Sequence, residues 1–397
     1  MPADPAVGAP PRTERALRPS HRARGALRRA APALVLYAVA RLAGLAVAAT
    51  VALTTHRPVW AALGDSWDSR WYAHIARHGY GTVIPGRLPG TTRSDLAFFP
   101  LFPGLERGVA TLAPISLTIA GLVVAWLSAG AAAWGIYAVG ERLHGRRTGT
   151  FLVLLWGLLP HAVVETMAYS EPLMTALAAW SLYALLTRRW LWAGALALLA
   201  GLTRPNAIAV AVAVISAAGL ALLRRKDLRR DWRIWAGAAL APLGWLGYAA
   251  WVGHRSGSPL GYFRIQREWG SRFDFGASEF HFVRRLFTDR GAAPHLAYDM
   301  AAAVLLAAVA AFVLLAMDRP PLSLVVYSFV LLVIAIGGTG FYASRPRFLL
   351  PAFPLLLPPA LALTKARPRT AVVLIATVAA VSVTYGAYTL YYAHTAP

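Results

Sequence analysis

Asp65-Ser66-Trp67-Asp68-Ser69-Arg70-Trp71-Tyr72 runs on through His74, His78, Gly79 and Tyr80 to Phe98-Phe99-Pro100-Leu101-Phe102-Pro103, and is the first long polar interruption in an otherwise apolar chain. Two carboxylates, Asp65 and Asp68, stand three residues apart in it, among aromatics that suit a membrane–water boundary. Trp71 and Ile75 are spaced i, i+4, as are His74 and His78. That spacing predicts a helix from about Ser66 to Arg77 lying along the interface, with separate apolar and polar faces.

Composition sets the frame for this stretch. Of 397 residues, 58% are apolar and only 14% charged, and the mean hydropathy is +0.53. Soluble domains carry about 25% charged residues, so the chain belongs in a bilayer. The net charge of +22 is spread over short segments between apolar runs. This is the pattern of orientation signals and of contacts to anionic lipid, and it argues against nucleic acid as a partner. There is no cysteine, which excludes disulfides, thiolate metal sites and redox-active thiols together. Lys226 and Lys365 are the only lysines; a GC-rich genome accounts for such an arginine bias, so each arginine has to be argued separately.

Residues 1–30, rich in Pro, Ala and Arg, read as a disordered basic cytoplasmic tail. Residues 31–397 read as one all-α polytopic membrane domain. Its first span, about 31–53, is too long for the core of a signal peptide, roughly 7–15 residues. Arg41 lies within it and, as an intramembrane charge, either serves function or pairs with a neighbouring helix. Further spans are expected near 110–139, 149–167, 172–187, 190–203, 206–223, 234–252, 297–317, 322–341, 348–364 and 370–392, about eleven helices in all. Alternating these spans puts every short arginine-rich loop on the side of the amino terminus, hence in the cytoplasm. The loops 55–108 and 253–296, the turn around Tyr169–Glu171, Arg204-Pro205-Asn206 and Phe341–Arg347 then share the outer face. No internal repeat stands out, which counts against a transporter built from inverted halves.

Several outer-face groups have chemistry to offer. Asp68 falls in the first turn of the expected interfacial helix, where the helix dipole favours the ionised form; such a carboxylate can accept a proton from an attacking hydroxyl. The same stretch also fits a helix merely capped by Asp65 or Ser66, with Trp67, Trp71 and Tyr72 as an aromatic belt. His74 and His78 with Asp65 and Asp68 would suit a hard metal ion, although histidines at a headgroup layer are commoner, and no metal or other cofactor is expected. His161, Glu165 and Tyr169 recur every four residues and so share one face of the expected third span. Glu171, after the capping residue Ser170, opens the next helix, and with Glu165 is a candidate for binding acceptor hydroxyls. Arg204-Pro205-Asn206 and Arg345-Pro346-Arg347-Phe348 interrupt apolar runs. A guanidinium at such a break can hold a phosphate bidentately, or snorkel to headgroups.

Trp67-Asp68-Ser69, Trp71-Tyr72, Ile75-Ala76, Gly79-Tyr80 and Ala97-Phe98-Phe99-Pro100-Leu101-Phe102-Pro103 together resemble the PIG-V family of mannosyltransferases. Ala168-Tyr169-Ser170-Glu171-Pro172, Gly201-Leu202-Thr203-Arg204-Pro205-Asn206 and Arg347-Phe348-Leu349-Leu350-Pro351 look like further motifs of that family, in the same order, over about residues 35–360. Ser69 stands where many relatives have a small residue such as Ala. The resemblance implies a GT-C fold with an extracytoplasmic active site, a polyprenyl-phosphate sugar as donor, a glycolipid or envelope glycan as acceptor, and inversion at the anomeric carbon. It implies Asp68 as base; Arg204, Arg345 or Arg347, at the two breaks, could then stabilise the charge of the leaving donor phosphate. Asp65, Trp67, Trp71, Tyr72, His74, His78, His161, Glu165, Tyr169, Glu171 and Asn206 are the expected pocket. A polytopic transporter or lipid flippase is the alternative, and it calls for charges through the full membrane depth.

Overall fold

The computed structural model describes residues 19–86, 92–288, 296–393 and 395. Helix α1 (Pro19–Thr55) begins well before the expected first span. Proline suits the first turn of a helix, and the Ala- and Arg-rich stretch behind it has high helix propensity. The early part of α1 is tied to the bundle by an Arg29–Glu141 ion pair of 3.3 Å. Of the expected tail, residues 1–18 lie outside the described residues.

The loop 55–108 is folded. It holds α2 (Val59–Gly64), α3 (Asp68–His78), a hairpin of β1 (Val83–Pro85) and β2 (Thr92–Ser94), and α4 (Leu101–Leu112). The strands pair antiparallel with Val83 opposite Ser94. The buried Asp95 closes the hairpin base by accepting from the amides of Gly81 (2.9 Å) and Thr82 (2.8 Å).

The bundle follows: α5 (Leu117–His144), α6 (Arg146–Gly157), α7 (Glu171–Leu186), α8 (Trp190–Gly201), α9 (Ile208–Arg224), α10 (Trp232–Leu240) and α11 (Leu243–Arg255). The second outer segment carries α12 (Gly261–Glu268) and α13 (Ala277–Thr288), and the chain ends with α14 (Leu296–Met317), α15 (Leu322–Gly337), α16 (Arg345–Phe348), α17 (Leu357–Lys365) and α18 (Pro368–Tyr391). Among the described residues, five helices are long and apolar enough to cross a membrane, or six if Tyr342–Phe348 and Phe353–Lys365, bent by 81°, count as one span. The chain is a multi-pass membrane protein, but the expected eleven continuous spans are not all there. The expected span 149–167 stops at Gly157 and resumes as a 3-10 turn at Ala162–Glu165. Pro160 lies in the break, has no amide hydrogen to donate and restricts the residue before it. Pro242 divides 234–252 between α10 and α11 in the same way. Helices α7, α8 and α15 are apolar but have only 16, 12 and 16 residues, fewer than the ~20 of a full span.

Two features of the packing bear on the site. Helix α8 runs backbone to backbone beside α10 and α11, because Gly194 and Gly201 face Gly237 and the Gly244–Trp245 backbone; a Cβ on Gly194 or Gly244 would run into the opposing main chain. Small residues permit such contact where apolar packing alone offers no driving force. Around the 81° bend, the buried Trp156 indole donates to Leu350 O (3.0 Å) and the Tyr327 hydroxyl to Pro351 O (2.9 Å). These bonds satisfy carbonyls that the proline break frees, as a bilayer interior requires.

Candidate active site

Helix α3 begins at Asp68, and the residue before it, Trp67, is held at φ 52°. A left-handed backbone at a bulky aromatic costs on the order of 1–3 kcal/mol and persists only where the surroundings over-determine it. Here the Trp67 side chain packs against the cluster of Ala48, Leu63, Met167 and Leu350. The Asp68 amide then donates to the hydroxyl of the buried Tyr169 at 3.4 Å. No side chain caps α3. The Asp65 carboxylate is exposed and pairs with Arg70 at 3.2 Å, while the Ser66 hydroxyl accepts from Arg57 at 2.5 Å. The capping role expected of these two residues therefore does not occur.

Asp68 Oδ2 lies 2.9 Å from Arg347 Nη2. Arg347 Nε faces Glu171 Oε1 at 3.7 Å, and Glu171 Oε2 lies 2.6 Å from Arg204 Nη1. Arg204 Nη1 also donates to Ser170 Oγ at 3.1 Å, and Ser170 Oγ shares a 2.7 Å hydrogen bond with the Tyr72 hydroxyl. Four loops far apart in sequence thus meet in one chain of polar contacts. Ser170 sits at the N-cap of α7, yet its hydroxyl serves Arg204 and Tyr72 rather than the helix amides. Glu171, Arg204 and Arg347 are buried; the Asp68 side chain is 17% exposed and is the open end of the network. Two carboxylates against two guanidiniums make it neutral, which is what burial at this depth demands. Burial lifts the Tyr72 and Tyr169 phenols above their usual range, more than the opposing pull of Arg204 on Tyr72 or of Arg347 on Tyr169, so both stay protonated.

Aromatic rings fix the guanidinium planes. Phe348 lies under Arg204 (5.7 Å) and Arg347 (5.3 Å), and Tyr169 lies under Arg347 at 5.3 Å. Asn206 donates to Phe348 O at 3.2 Å, joining the Arg204 loop to α16. Trp71, one turn beyond Asp68, stacks on Phe98 (5.6 Å) and meets Trp269 edge-on (5.2 Å). This brings the second outer segment against the first. Sequence reading named neither Phe348 nor Trp269 as a site residue, because what they stack on is set by the packing of segments far apart in the chain.

Other expected pocket residues have different partners. Arg345 turns away from Arg347: it pairs with Glu279 on α13, donates to Gly338 O and lies over the Tyr342 ring at 5.0 Å. Glu165 is buried with Tyr37, which donates to it at 2.9 Å, and with Arg41 at 3.8 Å. Arg41 also donates to Gly157 O and Ala162 O, the carbonyls on either side of the break after α6. His161 contacts Tyr385 of α18 at 3.4 Å. With α6 ended at Gly157, His161, Glu165 and Tyr169 do not share a helix face, and only Tyr169 reaches Asp68. His74 bonds Thr82 (2.6 Å) and stacks on His78 (4.8 Å). Among the described residues no three His, Asp or Glu side chains converge as ion ligands would.

No protein-family model and no curated protein matches the chain in sequence. Solved structures do match in shape. ArnT from Cupriavidus metallidurans bound to undecaprenyl phosphate superposes with a TM-score of 0.51 at 18% identity, over 84% of this chain and 63% of that one. The archaeal oligosaccharyltransferase AglB from Archaeoglobus fulgidus, in complex with an inhibitory peptide and a dolichol-phosphate, gives 0.53 at 14% identity, over 90% of this chain and 55% of that one. The chain therefore spans about three-fifths of the length of these structures. At such identities the likeness shows the fold alone: the chain shares the helical architecture of these two structures.

Proposed function

We propose that the chain is an inverting glycosyltransferase. It moves a hexose, mannose by the motif resemblance, from a polyprenyl-phosphate donor to a hydroxyl of a glycolipid or envelope glycan. The amino terminus is cytoplasmic and the site extracytoplasmic, as the distribution of basic loops suggests. The acceptor oxygen attacks the anomeric carbon as the bond from that carbon to the phosphate oxygen breaks. Its proton passes to Asp68, and the polyprenyl phosphate leaves as a monoester anion. The reading rests on the Asp68–Arg347 contact of 2.9 Å, which places a carboxylate beside a buried cation. Arg347 Nη1 and Arg204 Nε are buried with no hydrogen-bond partner among the described residues, so the fold leaves a donor of each guanidinium unspent. Both neighbours of the same fold hold a polyprenyl phosphate in their structures. A transporter is less well supported, since the buried charges gather near the outer loops and the deeper pair, Arg41–Glu165, is spent on the α6 break.

The test is transfer of labelled sugar from polyprenyl-phosphate mannose in membranes containing the chain, with polyprenyl-phosphate glucose as a second arm. Asp68→Asn should lower transfer roughly 10²–10⁴-fold, the usual share of general-base catalysis, while the protein stays folded. Undiminished transfer by that variant would overturn the assignment of the base; absence of transfer from either donor by the unaltered chain would overturn the activity.

A further inference from the structure

At 1.5 Å per residue the 28 residues of α5 carry its carboxyl end about 40 Å from its start beside α4. There, at the far end of the bundle from Asp68, α5, the α14–α15 turn and α17 enclose a cavity of about 210 Å³. Leu315 and Leu361 are among four leucines at its floor, and His144, Asp318 and Arg319 stand at its rim with Pro320. Leu314 and Met317, on the same end of α14, are exposed. In a chain that spans a bilayer, such exposed apolar side chains at a helix end beside a charged turn suit the boundary between lipid tails and headgroups.

The charges at the rim are not used by the fold. Asp318 and Arg319 are neighbours in sequence, yet neither takes part in a salt bridge with the other or with any other described residue. Arg319 is held at φ 48° immediately before Pro320, a conformation disfavoured for a residue with a side chain and doubly so before proline. Strain of this kind is found where the chain presents a side chain to a ligand. A free carboxylate and a free guanidinium beside an apolar floor match a molecule with separate positive and negative groups above a hydrocarbon chain. None of the lining residues is Trp, Tyr or Phe, so the cage that suits a quaternary ammonium is missing. A primary ammonium, which can donate hydrogen bonds to Asp318, fits instead.

We propose that this cavity binds the head group of a zwitterionic phospholipid carrying a primary amine, its phosphate on Arg319 and its ammonium on Asp318. The site is separate from the sugar-transfer reading and does not depend on it. The test is native mass spectrometry of the purified full chain in detergent, titrated in turn with phosphatidylethanolamine, phosphatidylcholine and phosphatidylglycerol. The ethanolamine lipid should be retained roughly tenfold better than the choline lipid, the scale of one charged hydrogen bond. Asp318→Asn, at an exposed turn, should erase that preference, and Leu361→Trp should lower retention of all three by filling the floor. Equal retention of the three lipids, best retention of the glycerol lipid, or an Asp318→Asn variant that keeps the preference would each overturn the proposal.

Discussion

Arg347 Nη2 stands 2.9 Å from Asp68 Oδ2, joining the start of α3 to the four-residue helix α16 on one arm of the 81° bend. On the proposed function this pair unites base and phosphate clamp, and the two neighbouring arginines become distinguishable. Arg347→Gln should lower sugar transfer roughly 10²–10³-fold, as loss of one oxyanion donor does. Arg345→Gln, whose guanidinium faces Glu279 and Gly338, should cost much less. The labelled-donor assay on both variants decides it, and equal losses would contradict the division of roles.

Glu171 is 1% exposed and lies between Arg204 and Arg347. Glu171→Gln leaves two buried guanidiniums with one carboxylate, and breaking a buried pair typically costs about 3–5 kcal/mol. The expected outcome is a clear fall in thermal unfolding temperature of the purified protein. An unchanged midpoint would show that Glu171 does not stabilise these cations in the folded chain.

Arg41 acts on the fold rather than on chemistry. Arg41→Met strands Glu165 and the carbonyls of Gly157 and Ala162, and should destabilise strongly. Adding Glu165→Met removes the stranded charge and should recover a large part of the loss, because replacing both partners of a buried pair with apolar groups is often near neutral. A double variant as unstable as the single one would point to the two carbonyls as the main cost.

Glu106, on α4, is buried, and its Oε2 has no hydrogen-bond partner among the described residues. Burial pushes its carboxyl up to about 8 from the ordinary 4.5. Below 4.5 the folded and unfolded chains both hold the proton. Between 4.5 and 8 only the folded chain does, so the unfolded state gains by ionising and stability falls as pH rises. Glu106→Gln should therefore match the parent in acid and unfold at a higher temperature above pH 5, the gap widening until about pH 8. Melting curves across that range test it; a constant gap would mean that Glu106 does not titrate there.

The polar network was largely legible in the sequence because a charge in an apolar chain is conspicuous, and alternation of spans puts such charges on one side. Asp68, Glu171, Arg204 and Arg347 were visible for that reason. The choice between Arg345 and Arg347 was not. Residues two apart on a helix point about 200° apart, so only one can face Glu171, and which one depends on how the chain turns at Phe341, held at φ 46°. His161 and Glu165 were placed by assuming a continuous helix that Pro160 breaks. The partners of Arg41 were hidden as well, since the carbonyls it serves are freed only once α6 ends.

The two cations of the network are not held alike. The segment bearing Arg204 follows a helix locked to its neighbours by glycine contacts, with Leu202 O accepting from Leu101 N at 2.9 Å and Pro205 O from Trp245 at 3.0 Å. Arg347 rides on a single helical turn between two interruptions. Its guanidinium is therefore placed by its side-chain partners, Asp68, Glu171 and the rings of Tyr169 and Phe348, whereas Arg204 is placed by the backbone that carries it.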